Sequence, residues 1–134
     1  MTDYFHTQLN PDEIRAISSI GLAHLGDAVY ELLVRTYLCA HGKATGKGLH
    51  RATVELVRAP RQAELSERIL PLLSEEESAV FRRGRNANVR TVAHNATVAQ
   101  YRQATALEAL FGWLYLNNRR ERINELFNVM MEEE

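Results

Sequence analysis

Two carboxylates stand in unusual company for surface charges. Asp27 lies in Leu22-Ala23-His24-Leu25-Gly26-Asp27-Ala28-Val29-Tyr30, and Glu108 in Ala104-Thr105-Ala106-Leu107-Glu108-Ala109-Leu110-Phe111-Gly112, each in the middle of an apolar stretch. Taking an ionised carboxylate out of water is costly unless something pairs with it. Small residues lie beside both, Ala23 and Gly26 near the first and Ala104, Thr105 and Gly112 near the second, leaving room for another helix or for a metal ion and its waters. Three arrangements fit this pattern: each acid pairs with an arginine such as Arg35, or reaches solvent, or the two meet from different helices around a cation. The third has chemical content. Mg²⁺ takes oxygen ligands, keeps several waters, and is often held by one or two carboxylates plus substrate phosphate. There it would polarise a phosphoryl oxygen and supply a hydroxide for in-line attack.

A phosphodiester substrate needs basic residues nearby, and the overall balance argues against them: sixteen basic and seventeen acidic residues leave a net charge of -1. The distribution reverses that impression. Ser78 to Leu107 holds Arg82, Arg83, Arg85, Arg90 and Arg102 with no acid, and Lys43 to Arg61 sets five basic residues against Glu55 alone. Acids gather instead at Glu75-Glu76-Glu77 and Glu132-Glu133-Glu134. A phosphate backbone responds to the local field, and the chain average hides it. Basic residues spread over solvated helix faces would give the same composition.

Other motifs fail. Gly42 to Gly48 is one residue short of a phosphate-binding loop, lacks Ser or Thr after Lys47, and follows no strand. The histidines lack the spacing of a di-iron bundle or a zinc protease. Asn95-Ala96-Thr97 matches a glycosylation sequon by chance, since no signal peptide is visible. Cys39, the single cysteine, ends an apolar helix and reads as a core residue. It also excludes an internal disulfide framework and fits a reducing compartment. No apolar run approaches the ~18 residues of a membrane span, and the start lacks a secretory pattern. The expectation is a soluble cytoplasmic protein with one domain over 1–134.

The elements that must position the acids read as helices throughout. Asn10-Pro11-Asp12-Glu13 is a start signal. Ser19 to Ala40 carries Leu22, Leu25, Val29, Leu32, Leu33 and Thr36 at helical spacing, with Ile20, Ala23, Tyr30 and Val34 on other faces. Apolar nearly all round, it is expected at the centre of a bundle, with Gly42 as its stop. A Gly/Lys-rich loop to Gly48 precedes a helix over about 49–57, and Pro60 opens another that ends near Pro71. Ser74-Glu75-Glu76-Glu77 forms a capping box for a helix to about Arg85. Asn86 to Asn95, including Asn88, Val89 and Arg90, reads as a loop. A long helix over about 96–116, a break at Asn117-Asn118 and a last helix to Met131 complete an all-α chain with no alternating strand pattern.

At these acids the sequence resembles the ribonuclease III catalytic-domain family. Leu25-Gly26-Asp27-Ala28-Val29 is similar to its signature, and Ala106 to Leu116 to its second acidic helix, in matching order and separation. From about Ile17 to Leu126 the chain resembles the mini subfamily, which is that domain without a double-stranded-RNA-binding domain. Leu49-His50 and Arg82-Arg83-Gly84-Arg85-Asn86-Ala87, followed by Asn95, are similar to further marks of it. The resemblance implies an all-helical homodimeric endonuclease that cuts double-stranded RNA with Mg²⁺ and matures the large-subunit (23S) ribosomal RNA precursor. It gives Asp27 and Glu108 the catalytic and metal-ligand roles. Arg82, Arg83, Arg85, Asn86, Lys47, His50 and Arg51 are the candidate RNA contacts. Ala23 and Thr105 depart from the full-length enzymes, which have a glutamate and an aspartate there, a reduction the mini subfamily shares. Asn88 and Ala93-His94 depart from the mini pattern, which has a lysine and a proline-lysine pair. The reduced acidity keeps a rival reading open: a non-catalytic RNA-binding or ribosome-assembly module on the same fold.

Overall fold

The computed structural model describes residues 1–42, 45–87 and 96–132. Among these residues the secondary structure is helical, as expected. The helices are α1 (Pro11–Arg15), α2 (Ser19–Ala40), α3 (Gly46–Val57), α4 (Ala59–Ser66), α5 (Glu75–Arg85), α6 (Val98–Leu116) and α7 (Arg120–Met131), with a 3₁₀ turn at Leu70–Leu72. Much of the expected loop from Asn86, including Asn88, Val89, Arg90, Ala93-His94 and Asn95, lies outside the described residues, as do Lys43 and the Glu133-Glu134 end of the acidic tail.

Side chains set most boundaries. Asn10 and Glu13 close a reciprocal cap on α1, and Ser74 and Glu77 do the same on α5. Gly42, at φ 72°, follows α2 in the left-handed conformation glycine adopts cheaply, and Asn118, at φ 58°, turns the chain between α6 and α7. Two starts move from the sequence expectation. Helix α3 begins at Gly46, three residues early, because the Thr45 hydroxyl accepts from the Gly48 amide and caps a glycine-bearing first turn. Helix α6 begins at Val98, because Thr97 and Gln100 form a capping box there. The helix opened by Pro60 also stops at Ser66, and the 3₁₀ turn carries the chain on to Leu72.

The centre of the bundle is α6. From Ala104 to Leu114 every residue is buried except Glu108, and α2, α4, α5 and α7 pack around it. Helix α2 buries one face only, through Leu22, Val29, Tyr30, Val34 and Leu38. Its other side leaves Leu32 61% exposed, and Ile20 in its first turn is 44% exposed, which corrects the expectation that α2 is central. Apolar residues all round a helix do not say which of them the protein itself covers. Cys39 falls on that open side and is exposed, so it is not a core residue. A half-buried ion pair between Glu77 and Arg122, at 2.9 Å, ties α5 to α7 and holds the Glu77 carboxyl below its usual range. No helix among the described residues is long and apolar enough to cross a membrane.

Candidate active site

The acids meet because two backbones touch. Where α2 crosses α6, a Cβ added to Gly26 would land on the Glu108 carbonyl and lie 2.8 Å from the Gly112 nitrogen. A Cβ added to Gly112 would strike the Leu22 carbonyl. Only glycine allows this approach. Asp27 is the next residue after Gly26 and Glu108 stands four before Gly112, so the crossing itself sets the acids against each other. Of the three arrangements left open by the sequence, Arg35 is accounted for by Glu31 at 2.9 Å. Neither Asp27 nor Glu108 joins an ion pair among the described residues.

Their environments differ. Asp27 is exposed, whereas Glu108 is largely covered, so only Glu108 has the buried character that the apolar stretches suggested for both. The Glu108 carboxyl is pushed up to about 9, by burial first and then by a hydrogen bond with Asp27 and the charge of Asp27, with the amide of Gln62 pulling the other way. Two carboxyl groups at this range need a proton or a cation between them. Behind them Tyr30 is fully buried, edge-on to Phe111 and Phe127, and its hydroxyl donates to the Leu56 carbonyl at 2.9 Å. Burial and the neighbouring Glu108 keep that phenol protonated, with Arg61 opposing.

The donor set fits a hard divalent cation: two carboxylates, one of them open to solvent. No group of three or more His, Cys, Asp or Glu that could hold a metal occurs among the described residues. A cation here would therefore draw its remaining ligands from water and phosphate. Ala23 and Thr105 are both 6% exposed, and the Thr105 hydroxyl donates to the Tyr101 carbonyl of its own helix.

The basic candidates form two groups. Lys47, His50 and Arg51 are exposed and line one groove along α3 with Val54 and Glu55. Arg82, Arg83, Arg85 and Asn86 are exposed at the end of α5, where Gly84 lies against Ala106 and Ala109. The arginine-bearing turn thus abuts the turn of α6 that carries Glu108. None of the six cationic or imidazole side chains in the two groups forms an ion pair among the described residues. Sequence reasoning missed Gln62, which is buried beside Glu108. Its signal was positional: Gln62 stands three residues before the buried Leu65 on one face of α4.

The family model of the ribonuclease III domain matches residues 21–119 of this helical bundle. The crystal structure of a Fusobacterium nucleatum protein superposes with a TM-score of 0.82 at 34% identity, covering 90% of this chain and 98% of that one. The mini-ribonuclease 3 of Clostridium tetani is 38% identical over 98% of this chain and 88% of its own length. Those of Enterococcus faecalis and Brevibacillus brevis are 41% and 47% identical, over 87% and 78% of this chain and 89% and 78% of theirs. The chain belongs to the mini-ribonuclease III branch of the ribonuclease III family.

Proposed function

We propose that this ribonuclease is a single-domain, Mg²⁺-dependent endonuclease that hydrolyses both strands of double-stranded RNA, acting as a homodimer. The observation that carries the reading is the juxtaposition of Asp27 and Glu108 at the α2–α6 crossing. Together they form an anionic cleft for the cation, and Asp27, the exposed partner, faces the side from which RNA arrives. Mg²⁺, when bound, polarises a phosphoryl oxygen and lowers the pKa of a water. Glu108, desolvated and coupled to Asp27, would have to release its proton to solvent in order to serve as a ligand. Arg82, Arg83, Arg85 and Asn86 hold the RNA backbone beside that cleft, and Lys47, His50 and Arg51 hold it along α3. Phosphate and shape contacts suffice, because the A-form major groove is too narrow to read.

The exposed stripe of α2, including Ala28, Leu32 and Cys39 at helical spacing, supports pairing with a second copy. A closed twofold gives one acid pair per strand. The proposed substrate is the large-subunit (23S) ribosomal RNA precursor, and the proposed location is the cytoplasm. The rival reading, a non-catalytic RNA-binding module, rests on Ala23 and Thr105, which leave two carboxylates where the full-length enzymes have more. Incubating an end-labelled RNA duplex with the protein in Mg²⁺ and in EDTA separates the two. Cleavage with Mg²⁺ and none with EDTA supports the nuclease; binding without cleavage in both supports the module.

A further inference from the structure

Behind the acid pair lies a buried amide that the chemistry above does not use. Gln62 of α4 is 2% exposed, and its Nε2 donates to the Val57 carbonyl at 2.7 Å. That bond fixes the amide orientation, since the flipped form would set two acceptors against each other. The amide also lies close enough to the Glu108 carboxyl to hold its pKa down against burial. Its Oε1 is buried with no hydrogen-bond partner. A buried acceptor left unpaired costs about 1–3 kcal/mol, and methionine would fill similar space without it. Val57 and Leu56, whose carbonyls receive Gln62 and Tyr30, end the basic helix α3. Two buried hydrogen bonds therefore tie the end of that helix to the layer behind the acids.

We propose that Gln62 is the positioning residue of the site. Clamped on Val57, it sets the orientation in which the Glu108 carboxylate meets a cation. The inference rests on the reading of Asp27 and Glu108 as a cation site. Partners one shell out from a metal ligand change affinity or activity by about 10–100-fold when removed.

The test is Gln62→Met, with Mn²⁺ as the probe ion. Mn²⁺ binding to the RNA-free protein is followed by electron paramagnetic resonance, single-turnover cleavage is titrated with Mg²⁺, and duplex affinity is measured in EDTA. Mn²⁺ affinity is expected to fall about tenfold or more, with the half-maximal Mg²⁺ concentration rising to match. Duplex affinity in EDTA and the melting temperature stay at or above wild type. Mn²⁺ affinity and Mg²⁺ requirement within twofold of wild type overturn the proposal. Gln62→Asn, polar but one methylene too short to span Val57 and Glu108, is expected to show the same loss, whereas full retention in Asn also overturns it. If Asp27→Asn and Glu108→Gln abolish Mn²⁺ binding while Gln62→Met leaves it intact, only the positioning role fails. If those two variants bind Mn²⁺ as wild type does, the cation-site reading itself fails.

Discussion

Replacing Glu108 by Gln should stabilise the metal-free protein while destroying its activity. The native carboxyl is pushed from 4.5 up to about 9, so between those values the folded protein holds a proton that the unfolded chain has released. Stability is then highest below the unfolded value and falls as pH rises towards 9. At pH 7 the window covered is about 2.5 pH units, which corresponds to roughly 3 kcal/mol of lost stability. Glutamine keeps the shape, donates to Asp27, and does not titrate. In EDTA, thermal melts of wild type and Glu108→Gln should nearly coincide at pH 4.5. They should diverge with rising pH, the variant melting about 10 °C higher at pH 7. Mg²⁺ should reverse the order by raising the wild-type midpoint and leaving the variant unmoved. A difference that does not change with pH, or a variant that melts below wild type at pH 7 in EDTA, would refute the reasoning and point to a structural partner for Glu108.

Gly26→Ala should lower stability by about 3 kcal/mol or more, because its Cβ would meet helix backbone that has no rotamer to yield; a melting point within a few degrees of wild type would contradict the crossing. The triple change of Arg82, Arg83 and Arg85 to Ala should weaken binding of unrelated duplexes alike and reduce the salt slope by up to about 3; an unchanged slope would place these arginines on a merely solvated face. Thr105→Asp puts a third carboxylate one turn before Glu108 at a 6% exposed position. In EDTA it should melt below wild type, and with Mg²⁺ it should recover and need less cation for half-maximal single-turnover cleavage. Recovery without a lower Mg²⁺ requirement would mean that Thr105 does not border the cation.

Helix types and most of their ends were legible because the signals are local. Asn10, Ser74 and the Gly42 stop each act within a few residues of themselves. Glu108 was legible for a different reason: a carboxylate inside an apolar run must be explained by something outside its own helix, whereas Asp27, singled out on the same ground, reaches solvent. Tertiary facts were hidden. Periodicity shows that Ile20, Leu32 and Cys39 sit on α2, but the direction of α6 decides that they stay open. Gln62 looked like one more polar residue in a short polar helix, and only the packing of α4 on α6 places it against Glu108. The start of α3 was misplaced because two glycines outweighed the Thr45 cap in a reading by composition.

The central claim is that Asp27 and Glu108 jointly hold the cation that drives cleavage, and single-turnover cleavage of an RNA duplex by folded Asp27→Asn tests it most directly. Asparagine preserves the shape of the exposed partner and removes the charge, leaving Glu108 and the glycine crossing untouched. The account predicts a rate at saturating Mg²⁺ below a few per cent of wild type, with duplex affinity in EDTA and the melting temperature unimpaired. A folded Asp27→Asn that cuts the duplex at a rate comparable to wild type would contradict it.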